Sequence, residues 1–221
     1  MANAEGNRLI TLLLAGALLA AAWFLVTSTY DWSRERIAAN ERARVVARLN
    51  SVLDSSLRGR DLTTTRLGIT DPELLGSDDP VDVFVISDAV APVAVLFASV
   101  APHGYNASIN LLIGVSPAGA ITGVRAVRHR ETSGLGDAID AAKSDWIEQF
   151  NGKSLANPGA ALWAVKQDDG EFDSITGATV TSRAVVAAVK NALLYFEQHR
   201  TELYAAAAAA AAAADDDESA R

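Results

Sequence analysis

The run LITLLLAGALLAAAWFLV, Leu9 to Val26, carries no charge over 18 residues, and it constrains the chain more than any other feature. With Thr27 to Tyr30 added it approaches the roughly 20 residues with which a helix crosses about 30 Å of hydrocarbon. Residues 1–30 therefore read as an N-terminal transmembrane anchor, and Trp23, Tyr30 and Trp32 suit the interfacial belt. A cleaved signal peptide is the rival reading, because Arg8 precedes the leucines and Ala20, Ala21 and Ala22 offer small residues to a peptidase. Apolar character resumes beyond those alanines in Trp23, Phe24, Leu25 and Val26, which favours the anchor. Arg34, Arg36, Arg42 and Arg44 follow the span and only Arg8 precedes it, which by charge alone would leave the following domain in the cytoplasm. Asp31, Glu35 and Glu41 accompany those arginines, however, and long domains translocate largely regardless of charge.

The rest of the 221 residues suffices for one domain of ordinary size. Residues 31–60 read as a charged helical stalk, with Ile37, Val45, Leu49, Val52 and Leu53 roughly on one side, either solvated or packed on a partner. Apolar stretches broken by turn residues follow and predict strands at Val83–Ile86, Val93–Val100, Ile109–Val115 and Ile121–Val127. The breaks at Ala91-Pro92, Pro102-His103-Gly104 and Pro117-Ala118-Gly119 are too short for parallel crossovers, so the sheet is antiparallel. Asp137 stands as N-cap of a helix to about Phe150, on the helical spacing of Ile139, Ala142, Trp146 and Phe150. A short strand is expected near Leu162–Val165. A last long helix begins within TGATVTSRAV and carries the apolar stripe Val185, Val189, Leu193 and Phe196. These elements predict an α+β domain over residues 61–204, an antiparallel sheet with flanking helices. The tail 205–221 is ten alanines and an acidic run, which either extends the last helix or stays mobile and has no side chains to build a core.

Composition narrows the chemistry. Cysteine is absent, which excludes disulfides, iron–sulfur ligation, zinc-thiolate sites and thiol catalysis. The net charge of −8 argues against binding nucleic acid, although Asp215, Asp216, Asp217 and Glu218 carry half of it at the tail. His103, His129 and His199 are dispersed, so a metal site has little support, and Lys190 on the last helix reads as solvated.

The informative segment is Asp173-Ser-Ile-Thr176-Gly177-Ala178-Thr179-Val180-Thr181-Ser182. It is a hydroxyl-rich turn that delivers the chain into a helix N-terminus, where backbone amides without helical acceptors and the helix dipole favour an anion such as phosphate. Gly177 lets backbone pass close to a ligand, and Ala178 keeps its neighbour small. Ser and Thr also cap helices with no ligand at all, so this pattern alone leaves both readings open.

The segment resembles the flavinylation motif D-x-x-[ST]-G-A-[ST]-x-[ST] of membrane-anchored proteins that carry covalent FMN. Asp173, Thr176, Gly177, Ala178 and Thr179 match it without a gap, and Thr181 fills the final place, the residue joined to FMN through its phosphate. A second string, His129-Arg130-Glu131-Thr132-Ser133-Gly134-Leu135-Gly136, is similar to the H-x-E-T-x-G-L-G element of the same family. That family is the G subunit of the Rnf electron-transport complex, related to the C subunit of the sodium-pumping NADH:quinone reductase. Ser133 stands where the family usually has Pro. Gly104-Tyr105-Asn106, Ile121-Thr-Gly-Val-Arg125 and Trp163-Ala-Val-Lys166 also resemble the Rnf protein, and the likeness covers about residues 9–200.

The resemblance implies a separate flavin transferase that consumes FAD with a divalent metal, so that Thr181 is an acceptor and not a self-activating nucleophile. It implies that Glu131, Thr132, Gly134 and Leu135 line the isoalloxazine, their bland alternative being a tight loop before a helix. His129 either tunes the flavin or hydrogen-bonds its loop, and Asp173 orders the turn or supports the transferase reaction. The implied function is an electron-carrying redox subunit with no independent turnover, in a bacterial inner-membrane complex that couples ferredoxin- and NAD-linked electron transfer to ion translocation. Its soluble domain would be periplasmic and its partners the other Rnf subunits. The alternatives are a C-type subunit of the quinone reductase, a cofactor-free assembly module, and a hydrolase using Thr181 or Ser182, which needs a base with an orienting partner. The sequence offers no convincing set of that kind.

Overall fold

Five strands form one antiparallel meander in chain order: β1 (Thr63–Asp71), β2 (Ser77–Ser87), β3 (Pro92–Ala101), β4 (Ile109–Val115) and β5 (Ile121–Arg128). The computed structural model describes Trp23, Val52, Leu53, Leu57 and residues 62–219. The expected span Leu9–Val26 and most of the expected stalk lie outside these residues. Among the described residues, no helix is long and apolar enough to cross a membrane.

Side chains of a strand alternate between faces, and here both faces are covered. Val95 and Phe97 of β3 and Leu111 and Ile113 of β4 enter the main core, whereas Ala94 and Leu96 of β3 and Leu112 of β4 enter a second cluster. Burial on both sides makes these strands continuous apolar runs, which is why the sequence shows them so plainly. One long helix of the described residues, α1 (Thr179–Ser219), lies against the main core. Its expected stripe of Val185, Val189, Leu193 and Phe196 is fully buried, each side chain contributing roughly 1.5–3 kcal/mol. Phe97 meets the rings of Tyr195 and Phe196 edge-on at 6.0 and 6.4 Å. The second cluster is closed by Val52, Leu53 and Leu57, so the end of the predicted stalk packs on the sheet instead of standing in solvent. Gly114 and Gly123 admit it: a Cβ on Gly123 would lie 2.8 Å from Val52 Cα.

Four expectations need correction. Strand β1 is absent from the predicted strands, because only Leu67 and Ile69 of its nine residues are strongly apolar; as an edge strand it buries one face partially and pairs only with β2. Strand β2 begins six residues before Val83, and Pro80 is tolerated there because that stretch pairs on one side only. The expected helix from Asp137 to Phe150 is two 3-10 segments, Gly136–Ile139 and Asp145–Phe150. Asp140 and Ser144 separate them, since the Asp140 carboxylate accepts the Ala142 amide at 3.0 Å and the Ser144 hydroxyl accepts the Trp146 amide at 3.0 Å. Such local bonds compete with helical ones. Asp137 accordingly is no N-cap; it lies inside the first segment. The strand expected at Leu162–Val165 is instead a 3-10 turn, Ala160–Leu162, and a single bridge from Val165 to Phe172.

Of the two fates open to the alanine tail, helix extension holds as far as Ser219. Ala207 is buried in the main core, so part of the run is packed after all. A methyl group suffices where the helix lies close.

Candidate functional site

The site forms where the loop after β5 meets the start of α1. Asp173 begins the approach and is held by its backbone: its carbonyl accepts the Trp146 indole N–H at 2.8 Å, and its amide donates to Gln149 Oε1 at 2.8 Å. Its exposed carboxylate pairs with Lys166 at 2.8 Å, which holds the Lys166 ammonium above its ordinary pKa. The turn is thus held at Asp173 through its backbone, while its carboxylate makes an exposed ion pair. The chain then turns at Gly177, whose φ of +78° is left-handed, and α1 begins. Its first i→i−4 bond runs from the Ser182 amide to the Ala178 carbonyl at 3.0 Å. The amides of Thr179, Val180 and Thr181 precede that bond and have no helical acceptor.

Two hydroxyls stand side by side at this helix start and are put to different uses. Ser182 Oγ accepts the Ile175 amide at 2.9 Å and donates to the Ala178 carbonyl at 3.1 Å, so it staples the turn to the helix. Thr181 Oγ1 donates to the carboxylate of Glu131. Both residues of that pair are buried.

Glu131 is held from a third direction. The amides of Tyr105 and Asn106, in the loop between β3 and β4, donate to its two carboxylate oxygens at 3.2 Å each. The Asn106 side-chain amide secures the same loop to the Arg130 carbonyl at 3.0 Å and to Thr132 Oγ1 at 3.2 Å. His129 Nδ1 accepts the Glu131 amide at 3.3 Å, the loop-stabilising bond expected as one of its two readings. Space is tight at Gly136, where a Cβ would lie 3.0 Å from Thr181 Oγ1 and 3.0 Å from Glu131 Cβ. The loop is closed by Asp137, which accepts the Gly134 amide at 2.8 Å and pairs with Lys143 at 2.6 Å. The Lys143 ammonium holds the Asp137 carboxyl below its ordinary value, against the opposing effect of burial, and the Gly134 amide assists.

A cavity of about 240 Å³ lies over this pair. Of the expected site residues, Thr181, Glu131, Thr132, Leu135, Gly177 and Ala178 line it. Thr176 and Thr179 line instead a second, more open hollow of about 510 Å³ on the other side of Gly177, together with Lys166 and Asp173. Gly134 lines neither; it sits at the turn tip with φ +77°. Tyr105 and Gly136 line the smaller cavity and had no expected role. The Gly104-Tyr105-Asn106 turn carried a sequence signal, but only the fold brings its amides to Glu131.

Comparison with known proteins bears on this arrangement. A family model of the FMN-binding domain matches residues 104–194, a stretch that contains both motif strings and the Tyr105–Asn106 amides. The G subunit of the ion-translocating oxidoreductase complex of Shewanella baltica (strain OS223) is 38% identical over 181 residues, 82% of this chain and 85% of the relative. Its namesake in Pseudomonas aeruginosa (strain UCBPP-PA14) is 44% identical over 182 residues, with the same two shares. That of Shewanella amazonensis (strain ATCC BAA-1098 / SB2B) is 36% identical over 194 residues, 87% of this chain and 89% of the relative. The chain belongs to this G-subunit family.

An FMN-binding domain of the G-subunit family must receive a phosphate and a flat ring system, and the residues present fit both ends. The amides of Thr179, Val180 and Thr181 suit a phosphate at the mouth of α1. Glycine at 136 and 177 keeps the cradle free of Cβ atoms, and exposed Leu135 and Tyr105 offer apolar surface at its rim. The chemistry such a cofactor supplies when bound is electron transfer. The chain's own contribution to such a cofactor would be binding, shielding and the local field.

Proposed function

We propose that this chain is an electron-carrying subunit of an ion-translocating oxidoreductase complex and holds FMN through a phosphoester to Thr181. The single observation that supports it best is the contrast between neighbours. Ser182 is spent on the turn, whereas Thr181 lines the cavity with its hydroxyl on a carboxylate, at a helix start whose amides suit an anion. A phosphodiester placed there receives those amides as donors. A separate flavin transferase makes the bond from FAD, and Thr132, Leu135 and the glycines around them meet the ring. The N-terminal run anchors the chain in the bacterial inner membrane with the soluble domain on the periplasmic side. Electrons pass among the other subunits of the complex, with ferredoxin and NAD at its cytoplasmic end. Covalent attachment suits a compartment without free flavin, where a lost cofactor is not replaced.

The test is intact-mass measurement of the full chain co-produced with a flavin transferase, beside denaturing electrophoresis under ultraviolet light. One added FMN and a fluorescent band are expected, both absent from Thr181→Ala. A chain that stays bare, or a fluorescent Thr181→Ala variant, overturns the assignment and leaves a cofactor-free assembly module.

A further inference from the structure

The Thr181–Glu131 pair has the parts of an activated nucleophile: a hydroxyl, an acceptor for its proton, and groups that orient the acceptor. We propose that Glu131 takes the Thr181 hydroxyl proton as the flavin phosphoester forms; this rests on the attachment of FMN to Thr181 proposed above. An ionised carboxylate only accepts, so the bond from Thr181 Oγ1 directs the hydroxyl proton at Glu131 and leaves the oxygen's lone pairs for an electrophile. The Tyr105 and Asn106 amides, each at 3.2 Å, fix the carboxylate, and Gly136 gives the two side chains room to meet. No other hydroxyl of the motif is so placed. Ser182 is engaged with Ile175 and Ala178, and Thr176 and Thr179 line the opposite hollow.

The step balances without any redox change. The donor is a flavin dinucleotide presented by the transferase, in which the flavin phosphate is joined to a second nucleotide by an anhydride. A bond forms from Thr181 Oγ1 to the flavin phosphorus, and the anhydride P–O bond breaks. The second nucleotide leaves as its monophosphate with that electron pair. The hydroxyl proton moves to the Glu131 carboxylate and from there to solvent. The ester oxygen carries no hydrogen, so Glu131 keeps two of its three donors in the product.

The experiment follows loading of the purified full chain by transferase, FAD and magnesium, read as the rate of gain of one FMN by intact mass, with the thermal midpoint of the flavin-free chain measured in parallel. Glu131→Gln is expected to fold and to load at least about 10²-fold more slowly, the span of a positioned base. Glu131→Ala is expected to be similarly slow and to regain rate when formate is added as an external base. Glu131→Asp, which keeps the carboxylate one methylene short, falls between Gln and wild type. A folded Glu131→Gln chain that loads at the wild-type rate overturns the inference while the attachment reading stands. If Glu131→Gln does not fold, Glu131→Asp decides: loading at the wild-type rate overturns the inference, and loading at least about tenfold slower upholds it. A wild-type chain that never loads overturns the attachment reading itself, and the inference with it.

Discussion

Lys143 Nζ lies 2.6 Å from Asp137 Oδ2, while Oδ1 of the same carboxylate holds the Gly134 amide at 2.8 Å. The ion pair therefore anchors the loop that carries Glu131, although neither member touches the cavity. Its pH dependence has a definite sign. The pair holds the Asp137 carboxyl below 3.8 in the folded chain, so its stabilisation is complete above that value and is lost as pH falls through the lower, folded-state pKa. The Lys143 ammonium is held above 10.5, so the same stabilisation is lost again as pH rises through that raised value. Asp137→Asn is expected to lower the urea midpoint at pH 7 and to flatten the fall in stability on the acid side. Urea titrations between pH 2 and 7 check both, and an unchanged acid slope would remove Asp137 from this role.

The two adjacent hydroxyls separate cleanly by substitution. Thr181→Ser keeps an oxygen for Glu131 and is expected to take up flavin. Thr181→Val takes up none, and by leaving a buried carboxylate short of a donor it costs about 1–3 kcal/mol in the flavin-free chain. Ser182→Ala keeps flavin and loses about 1 kcal/mol with its staple. In-gel fluorescence and chemical denaturation of all three variants read these outcomes, and a Ser182→Ala chain without flavin would contradict the division of labour.

Gly177 and Gly136 fail for different reasons when a methyl is added. At Gly177 the φ of +78° is unfavourable for any other residue, and the new Cβ would lie 3.1 Å from Leu135 Cδ2; Gly177→Ala is expected to cost about 1–2 kcal/mol. At Gly136 the backbone is permissive, but the Cβ intrudes between Thr181 and Glu131. Gly136→Ala is therefore expected to slow flavin loading more than it lowers the melting temperature. Thermal melts beside loading time courses distinguish the two patterns.

On the far face of the sheet, Thr122 Oγ1 donates to the Val52 carbonyl at 2.7 Å, and Gly123 lies against Val52 Cα. Gly123→Ala meets backbone there, not a flexible side-chain end. It is expected to cost about 1–3 kcal/mol through overpacking, seen as a lower urea midpoint with an unchanged far-ultraviolet circular dichroism spectrum. Equal stability would mean that the segment around Val52 yields without cost.

Much of the fold was legible because its signals are local. Strands β3, β4 and β5 announce themselves by apolar runs and Pro-Gly breaks, and α1 by a four-residue stripe that is buried as expected. Strand β1 was not, because an edge strand with one half-covered face asks for few apolar residues. The region 136–150 misled because Ile139 and Phe150 keep a helical spacing while Asp140 and Ser144 divert the backbone between them. The motif residues were found by type, yet their grouping into two hollows on either side of Gly177 was not.

The amino-acid order alone determined that a charge-free segment leads the chain, that an antiparallel sheet and a long helix follow, and that a hydroxyl-rich turn opens that helix. These follow from hydropathy and backbone preference over a few neighbouring residues. Only the tertiary structure decided that Thr181 meets a carboxylate 50 residues away while Ser182 does not. Adjacent positions on a helix point about 100° apart, so which of two like side chains faces a distant loop depends on how the helix is rotated against its sheet, a matter of packing across the whole domain.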